Sequence, residues 1–147
     1  MYSIILVPTD GSETATRAVD HAIDLATRYD ATVHALSVVD VSELGLRTPT
    51  DIDSEKLRRP LRDRAQNAVG AVVNACDKAG VDVVEAITVG VTHDEIVDYA
   101  ADNSVGLIVM GTHGRSSLPR ALLGSVTERV VRSASVPVLA VPPDSSP

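Results

Sequence analysis

The sequence predicts an α/β fold: one domain with an open sheet of five parallel strands and helices on both faces. Three observations predict it. The length of 147 residues suits a single domain. Apolar runs alternate with segments whose apolar residues recur at helical spacing. Two of the runs, 3–10 and 105–110, are almost continuously apolar, as in strands covered on both faces. Strands and helices that alternate in this way give right-handed crossovers and a parallel sheet.

The chain begins with an interior strand and a helix. The run SIILVPTD at 3–10 ends in Pro and Asp, and Gly11 and Ser12 follow it as a turn and an N-cap. Glu13 suits the first turn of a helix, and small and branched apolar residues then recur every three or four positions. This pattern predicts a helix over about 12–29.

A second strand and a long helix come next. The β-branched run ATVHALSVV at 31–39 predicts the strand. The polar segment over about 40–55 predicts a long loop that could fold over a ligand or move freely. Apolar residues recur at helical spacing over 57–79 and predict a helix with Pro60 near its first turn, ended by Gly80.

The segment after this helix predicts a third strand and a short helix. The strand is VDVVEAITVG at 81–90. Thr92 and Glu95 have the spacing of a capping box, in which the side chain of each residue accepts a hydrogen bond from the backbone N–H of the other. We therefore expect a helix over about 92–101, begun by that box.

The last third of the chain predicts two strands, a helix and a tail. The fourth strand is the run at 105–110, and a helix follows over about 125–134. PVLAV at 137–141 predicts the fifth strand, and its leading Pro suits a sheet edge. The tail PPDSSP predicts disorder over 143–147, which leaves 1–142 as the folded domain.

The loop GTHGRSSLPRALLGS between the fourth strand and the last helix has features of an anion site. We expect Gly111 to let the backbone approach a ligand and Gly114 to allow a turn with positive φ. Gly124 and Ser125 open a helix whose free N–H groups attract an anion, for which phosphate is the natural choice. On the residues alone, the alternative is that these glycines only turn the chain and cap a helix.

Side chains near this loop could assist the anion. Ser125 and Thr127 can add hydroxyl donors, and Arg115 or Arg120 can offset phosphate charge. Neither a P-loop lysine motif nor GxGxxG spacing is present in the sequence. We therefore expect backbone amides, rather than a lysine, to bind the anion.

The ligand crevice of such a sheet lies where successive connections leave in opposite directions. If the strand order is 3-2-1-4-5, this point falls between the first and fourth strands. Their polar exits, Pro8-Thr9-Asp10 and Met110-Gly111, would then face each other across the crevice. Asp10 remains open between a ligand contact and a carboxylate of the first helical turn.

These motifs resemble those of the universal stress proteins, in particular the subgroup that binds ATP. The resemblance rests on ILVPTDGS at 5–12, on the G-x-x-G-x9-G-S spacing that begins at Gly111, and on the final PVLAV, and it covers 2–142. It implies the 3-2-1-4-5 order of a Rossmann-like, adenine nucleotide α-hydrolase-like domain. The chain departs from many relatives at Ser117, where a further Gly is common, and at Thr92, where Pro is common.

The resemblance also implies a ligand and a partner. Adenine is expected near Asp10 and the backbone of Val38, with the phosphates on the glycine loop. A homodimer is expected through the last strand, Val136 to Val141, whose unpaired apolar edge is a pairing liability in its own right. The expected nucleotide-binding residues are Pro8, Thr9, Asp10, Val38, Met110, Gly111, His113, Gly114, Arg115, Gly124, Ser125, Val126 and Thr127.

The sequence offers more for binding than for catalysis. Mg²⁺ would arrive with ATP, with Asp10 and Ser125 or Thr127 as oxygen ligands. Of four scattered histidines only His113 lies near the expected phosphates, where a hydrogen-bonding or exposed imidazole is favoured over a general base. Fast hydrolysis also needs an oriented water and charge stabilisation, for which no residues stand out.

We therefore expect an ATP-binding regulatory homodimer with a role in stress survival or signalling. The alternatives are a slow ATP hydrolase or autophosphorylating protein, and a nucleotide-free dimerisation module. The sequence does not distinguish ATP from AMP or a cyclic nucleotide.

Composition and charge limit the partners and the location. The formal net charge of −7 argues against nucleic acid, which needs clustered cations. No apolar run is long enough to span a bilayer and no export signal is seen, so we expect no membrane association and a cytoplasmic location. Cys76 is the only cysteine and lies in a helical apolar pattern, which predicts a buried thiol.

Overall fold

The computed structural model describes residues 1–40, 42, 54–114 and 122–144, apart from the side chains of 54–57, and it confirms the expected architecture. The five strands pair in parallel in the order β3-β2-β1-β4-β5. The elements in chain order are β1 (Ile4–Pro8), α1 (Glu13–Tyr29), β2 (Thr32–Val39), α2 (Ser54–Ala79), β3 (Val83–Val89), α3 (Thr92–Asp102), β4 (Leu107–Gly111), α4 (Ser125–Ser133) and β5 (Val138–Val141).

The sheet separates two apolar layers. Alternate strand residues point to opposite faces, so Ile5 and Val7 pack with the apolar sides of α1 and α2, while Leu6 packs with α3 and α4. Ile5, Leu6 and Ile108 are fully buried, because the central strands are covered on both faces. This two-sided burial is the reason for the continuous apolar runs in the sequence.

Local signals account for the ends of the first two helices. The Ser12 side chain accepts a hydrogen bond from the amide of Ala15, as expected of the N-cap of α1. Gly80 ends α2 with a φ of 71°. The expected position of Pro60 is wrong by one turn. Helix α2 begins at Ser54, so Pro60 lies inside the helix, because a polar turn precedes the apolar stripe.

The capping box expected at the start of α3 is wrong. The N-cap is Val91, which makes no side-chain cap hydrogen bond, and Thr92 is the first helical residue. The hydroxyl and the amide of Thr92 both donate to the carboxylate of Asp40, at 3.0 and 3.1 Å. Asp40, which follows β2, therefore caps α3 in place of the box that the sequence predicted at Thr92 and Glu95.

Strands β1 and β4 separate near their carboxyl ends. They pair only at Ile5 with Leu107 and at Leu6 with Ile108. Beyond this point each strand stays bonded to its outer neighbour: the Thr9 amide donates to the Leu36 carbonyl, and the Thr112 amide donates to that of Val141. The space that opens between the two strands is the switch point predicted from the topology.

Several other expectations can be compared with the structure. Cys76 is fully buried, as predicted, and burial together with the charge of Asp77 raises the pKa of its thiol to about 11. No helix in the described ranges is long and apolar enough to cross a membrane. The loop expected over 40–55 lies outside the described residues at 41 and 43–53, and the expected tail does so at 145–147.

Packing of β4 gives a stability prediction. We expect Ile108→Ala to lower the free energy of unfolding by about 2–5 kcal/mol, because it leaves a cavity at a fully buried position. Val131→Ala, at a residue of α4 that is 49% exposed, is the matched control and should change it by less than about 0.5 kcal/mol. Urea denaturation of both variants measures the difference, and equal losses would contradict the assigned packing.

Candidate functional site

A cavity of about 370 Å³ opens between β1 and β4 at the carboxyl edge of the sheet. Its volume is in the range of small-molecule sites. Every expected nucleotide-binding residue except Arg115, which lies outside the described residues, contributes to its lining. The lining residues are Pro8, Thr9, Asp10, Ala15, Leu36, Ser37, Val38, Thr92, Ile96, Met110, Gly111, His113, Gly114, Gly124, Ser125, Val126 and Thr127.

The amino end of α4 supplies the donors of this cavity. Gly124 is the N-cap, its own amide donates to the Thr112 carbonyl at 2.8 Å, and its carbonyl accepts the first helical hydrogen bond, from Glu128. Within the described part of the chain, the amides of Ser125, Val126 and Thr127 have no recorded hydrogen-bond acceptor. Three N–H groups at the positive end of the helix dipole thus lie at the cavity wall.

Thr127 has a different part from the one expected. Its hydroxyl donates to the carbonyl of Gly111 at 2.8 Å, and the side chain is buried. The expectation that this hydroxyl would donate to a phosphate is therefore wrong, because its only proton is already used. The bond instead fixes the first turn of α4 to the end of β4, which aims the free amides at the cavity.

The glycines of the loop are required by packing. A Cβ at Gly111 would lie 2.6 Å from Cγ2 of Thr14, so this glycine allows α1 to pack against the end of β4. Gly114 does not have the expected positive φ. A Cβ there would lie 2.8 Å from Oδ2 of Asp10. At Gly124 the Cβ would lie 2.9 Å from the Thr112 carbonyl oxygen. Small residues therefore let the loop, α1 and β1 come together around the cavity.

Asp10 lies in the turn before α1 and at the cavity wall. One carboxylate oxygen, Oδ1, accepts a hydrogen bond from the amide of Ser12 at 2.9 Å, which supports the turn before α1. The other, Oδ2, lies where it would meet a Cβ on residue 114, so it faces Gly114. Asp10 thus helps to begin the helix and also lines the cavity.

The end of the cavity beneath β2 and α3 is apolar. Leu36, Val38, Ile96 and Met110 line it, and Thr92 adds one hydroxyl. The sequence analysis missed five residues of the cavity lining: Ala15, Leu36, Ser37, Thr92 and Ile96. One signal was available, since Leu36 lies two residues before Val38 on the same face of β2. No local signal identifies Ile96, because only the tertiary structure brings α3 to the crevice.

Asp40 organises the edge of this apolar end. Its carboxylate accepts hydrogen bonds from the amide and hydroxyl of Thr92 and from the amide and hydroxyl of Ser42. Burial by itself would raise the pKa of Asp40, but these hydrogen bonds outweigh it and lower the pKa below its usual value. The ionised carboxylate also suits the positive end of the α3 dipole.

The histidines are engaged in the protein's own contacts. His113 is buried in the cavity wall, with Nδ1 3.0 Å from the Thr112 hydroxyl. His34 Nδ1 lies 2.7 Å from the Tyr99 hydroxyl, and burial lowers the pKa of this imidazole. Among the residues that the structure describes, no three His, Cys, Asp or Glu side chains are grouped as a metal site would require.

Comparisons with known proteins identify the family of this chain and agree with its fold. A model of the universal stress protein family matches residues 1–142. The universal stress protein MJ0531 of Methanocaldococcus jannaschii is 42% identical over 142 residues, covering 96% of this chain and 82% of that protein. MJ0577 of the same organism is 36% identical and covers 96% of this chain and 95% of that protein.

Solved structures show the same architecture. The structure of MJ0577 has a TM-score of 0.88 at 37% identity and covers 99% of both chains. A universal stress protein in complex with cAMP has a TM-score of 0.73 at 28% identity, with 97% of this chain and 99% of that one covered.

The hydrogen bonds of Asp40 predict a pH dependence of stability. Since the folded state holds this pKa below the unfolded value of about 4, the contribution of Asp40 is present above pH 4 and is lost as the pH falls through the folded pKa. We expect the difference in melting temperature between the unmodified protein and Asp40→Asn to shrink from pH 6 to pH 3. Asp98→Asn, which removes an exposed carboxylate of α3, the helix that Asp40 caps, controls for charge. A constant difference would contradict the assignment.

Proposed function

The chain belongs to the universal stress protein family, and from this premise we propose that it is a cytoplasmic regulatory protein that binds ATP with Mg²⁺ and acts as a homodimer. In this proposal residues 1–142 form the nucleotide-binding domain and 143–147 a tail outside it. The relative crystallised with cAMP supports an adenine nucleotide as the class of ligand.

The observation on which the proposal rests is the set of amides at the start of α4. Ser125, Val126 and Thr127 offer three N–H groups in one turn, at the end of the helix where the dipole favours an anion. Phosphate oxygens are acceptors that match such groups without a lysine. We propose that the β- and γ-phosphates bind here.

The base and the metal are assigned to different residues of the cavity. The apolar surface of Leu36, Val38 and Ile96 is suited to a purine ring, which gains by leaving water. Asp10 and Ser125 would hold a Mg²⁺ that accompanies the phosphates, because a carboxylate and a hydroxyl are oxygen ligands. When bound, the ion would neutralise part of the phosphate charge.

We propose binding rather than rapid turnover. Within the described ranges, two side chains at the phosphate end are engaged in other contacts: the Thr127 hydroxyl donates to Gly111, and the His113 imidazole contacts Thr112. An oriented water and a stabilised leaving oxygen are needed for fast hydrolysis. A protein that retains ATP suits a regulatory role, in which the bound nucleotide reports its availability.

The dimer is assigned to β5. This strand pairs with β4 on one side only, so its other edge offers unpaired N–H and C=O groups, and Leu139 on it is 38% exposed. A second copy that pairs along Val136 to Val141 would satisfy these groups and cover the apolar edge.

Titration with ATP tests the nucleotide site. We expect calorimetry to detect ATP binding that weakens when EDTA replaces Mg²⁺. Gly124→Ala should weaken it by about tenfold or more, because its Cβ would meet the Thr112 backbone and displace the donor amides. Gly70→Ala is the matched control, since a Cβ at this position in α2 meets nothing within 4 Å.

The same titration identifies the preferred ligand. AMP and cAMP should bind more weakly than ATP, since they bring fewer phosphate oxygens to the amides. Mass spectrometry of the extract of boiled protein provides an independent readout of nucleotide carried through purification. No heat with any of the three nucleotides would contradict the proposal.

Substitution at the sheet edges tests the dimer. We expect Leu139→Lys to convert the dimer to a monomer, because it places a charge in the apolar pairing edge. Val84→Lys is the matched control on β3, the opposite edge strand, where Val84 is 44% exposed. Sedimentation velocity measures the assembly. A dimer that survives Leu139→Lys, or dissociates only with Val84→Lys, would move the interface away from β5.

A further inference from the structure

The apolar end of the cavity contains one hydroxyl whose hydrogen-bonding direction is fixed. Thr92 lines the cavity together with Val38 and Ile96. It lies half-buried at the first position of α3, where its side chain meets a carboxylate from the neighbouring strand connection. Thr92 and Ile96 are four residues apart, one turn of α3, and both line the cavity.

The proton of this hydroxyl is committed to Asp40. Thr92 Oγ1 donates to Asp40 Oδ2 at 3.0 Å, and the Thr92 amide donates to the same oxygen at 3.1 Å. An ionised carboxylate only accepts hydrogen bonds, whereas a hydroxyl has one proton and two lone pairs. With its proton directed at Asp40, the Thr92 oxygen can offer a ligand only its lone pairs.

This arrangement gives the cavity a preference for one edge of a purine. We propose that Thr92, held by Asp40, is a specificity-determining hydrogen-bond acceptor that selects purines with a 6-amino group over purines with a 6-oxo group. The inference rests on the proposed function, because it assigns the base to the apolar end of the cavity. It adds a side-chain determinant to a site otherwise described by backbone amides and apolar surface.

The selection has both an attractive and a repulsive component. An amino group donates to the lone pairs of Thr92, so neither partner is left without a bond. A 6-oxo group places acceptor against acceptor, and turning the Thr92 proton towards the ligand would remove a hydrogen bond from Asp40 at the start of α3. Leaving a desolvated polar group unpaired costs more than a single hydrogen bond contributes.

The test compares ATP with two analogues on the full chain. ITP has a 6-oxo group, and purine riboside triphosphate has no substituent at position 6. The unmodified protein should bind ATP more tightly than either one. Thr92→Val keeps the shape of the side chain without the acceptor and should reduce the ATP preference over each analogue about three- to tenfold. Thr92→Ser, which restores the hydroxyl, should retain the preference to within about twofold.

Removing the acceptor that holds the Thr92 proton provides a second test. In Asp40→Ala the Thr92 hydroxyl loses its carboxylate partner, so its proton is free to point into the cavity. The preference for ATP over ITP should then fall at least as far as in Thr92→Val, with ITP itself binding more tightly than before. Asp98→Asn, at an exposed position of α3, is the control and should leave the ratio unchanged.

The outcomes separate this inference from the nucleotide site itself. If the unmodified chain gives no heat with any triphosphate, the proposed function fails and the assignment of Thr92 fails with it. If ATP binds but its ratio to ITP is the same in Thr92→Val and in the unmodified protein, the nucleotide site stands and the role of Thr92 is overturned. If Thr92 has a purely structural role, Thr92→Val should weaken the binding of all three triphosphates equally. This outcome would also overturn the proposed role in specificity.

Discussion

The separation of β1 from β4 is the constraint on which the rest of the site depends. Each strand keeps its hydrogen bonds to its outer neighbour after the two have stopped pairing with each other. The cavity therefore requires no broken ladder, because Thr9 and Thr112 still donate to Leu36 and Val141. Buried backbone groups are costly when unpaired. The fold thus opens a space at the centre of a sheet while leaving its backbone satisfied.

Two helix starts give this space its chemical division. At α4, the bond from Thr127 to Gly111 fixes the first turn while three amides remain as donors. At α3, the donors of Thr92 are taken up by Asp40, which leaves apolar surface and an acceptor oxygen. Three first-turn N–H groups therefore stay available at α4, whereas at α3 the first of them is already bonded to Asp40. In the proposed function, this difference distinguishes the end assigned to the phosphates from the end assigned to the base.

Most of the fold and much of the cavity lining follow from local sequence. Uninterrupted apolar runs identified the central strands, since only strands covered on both faces lack polar alternation, and Ser12 and Gly80 marked helix ends by their backbone preferences. The failures share a cause. The wrong predictions are the capping box at Thr92, the positive φ at Gly114 and the free hydroxyl of Thr127. Each was made from neighbouring residues, whereas the group that each residue meets lies elsewhere in the chain, at Asp40, Asp10 and Gly111 respectively.

The sequence by itself determined the order of strands and helices, the family and the glycine loop, because periodicity, turn residues and motif spacing are properties of neighbouring positions. Only the tertiary structure decided which hydrogen-bonding groups remain available in the cavity. Whether a hydroxyl or an amide is free depends on what packs against it, and α1, α3 and β2 reach the crevice through contacts that span tens of residues. A hydrogen bond uses its donor once, so the availability of a group is settled by the fold as a whole.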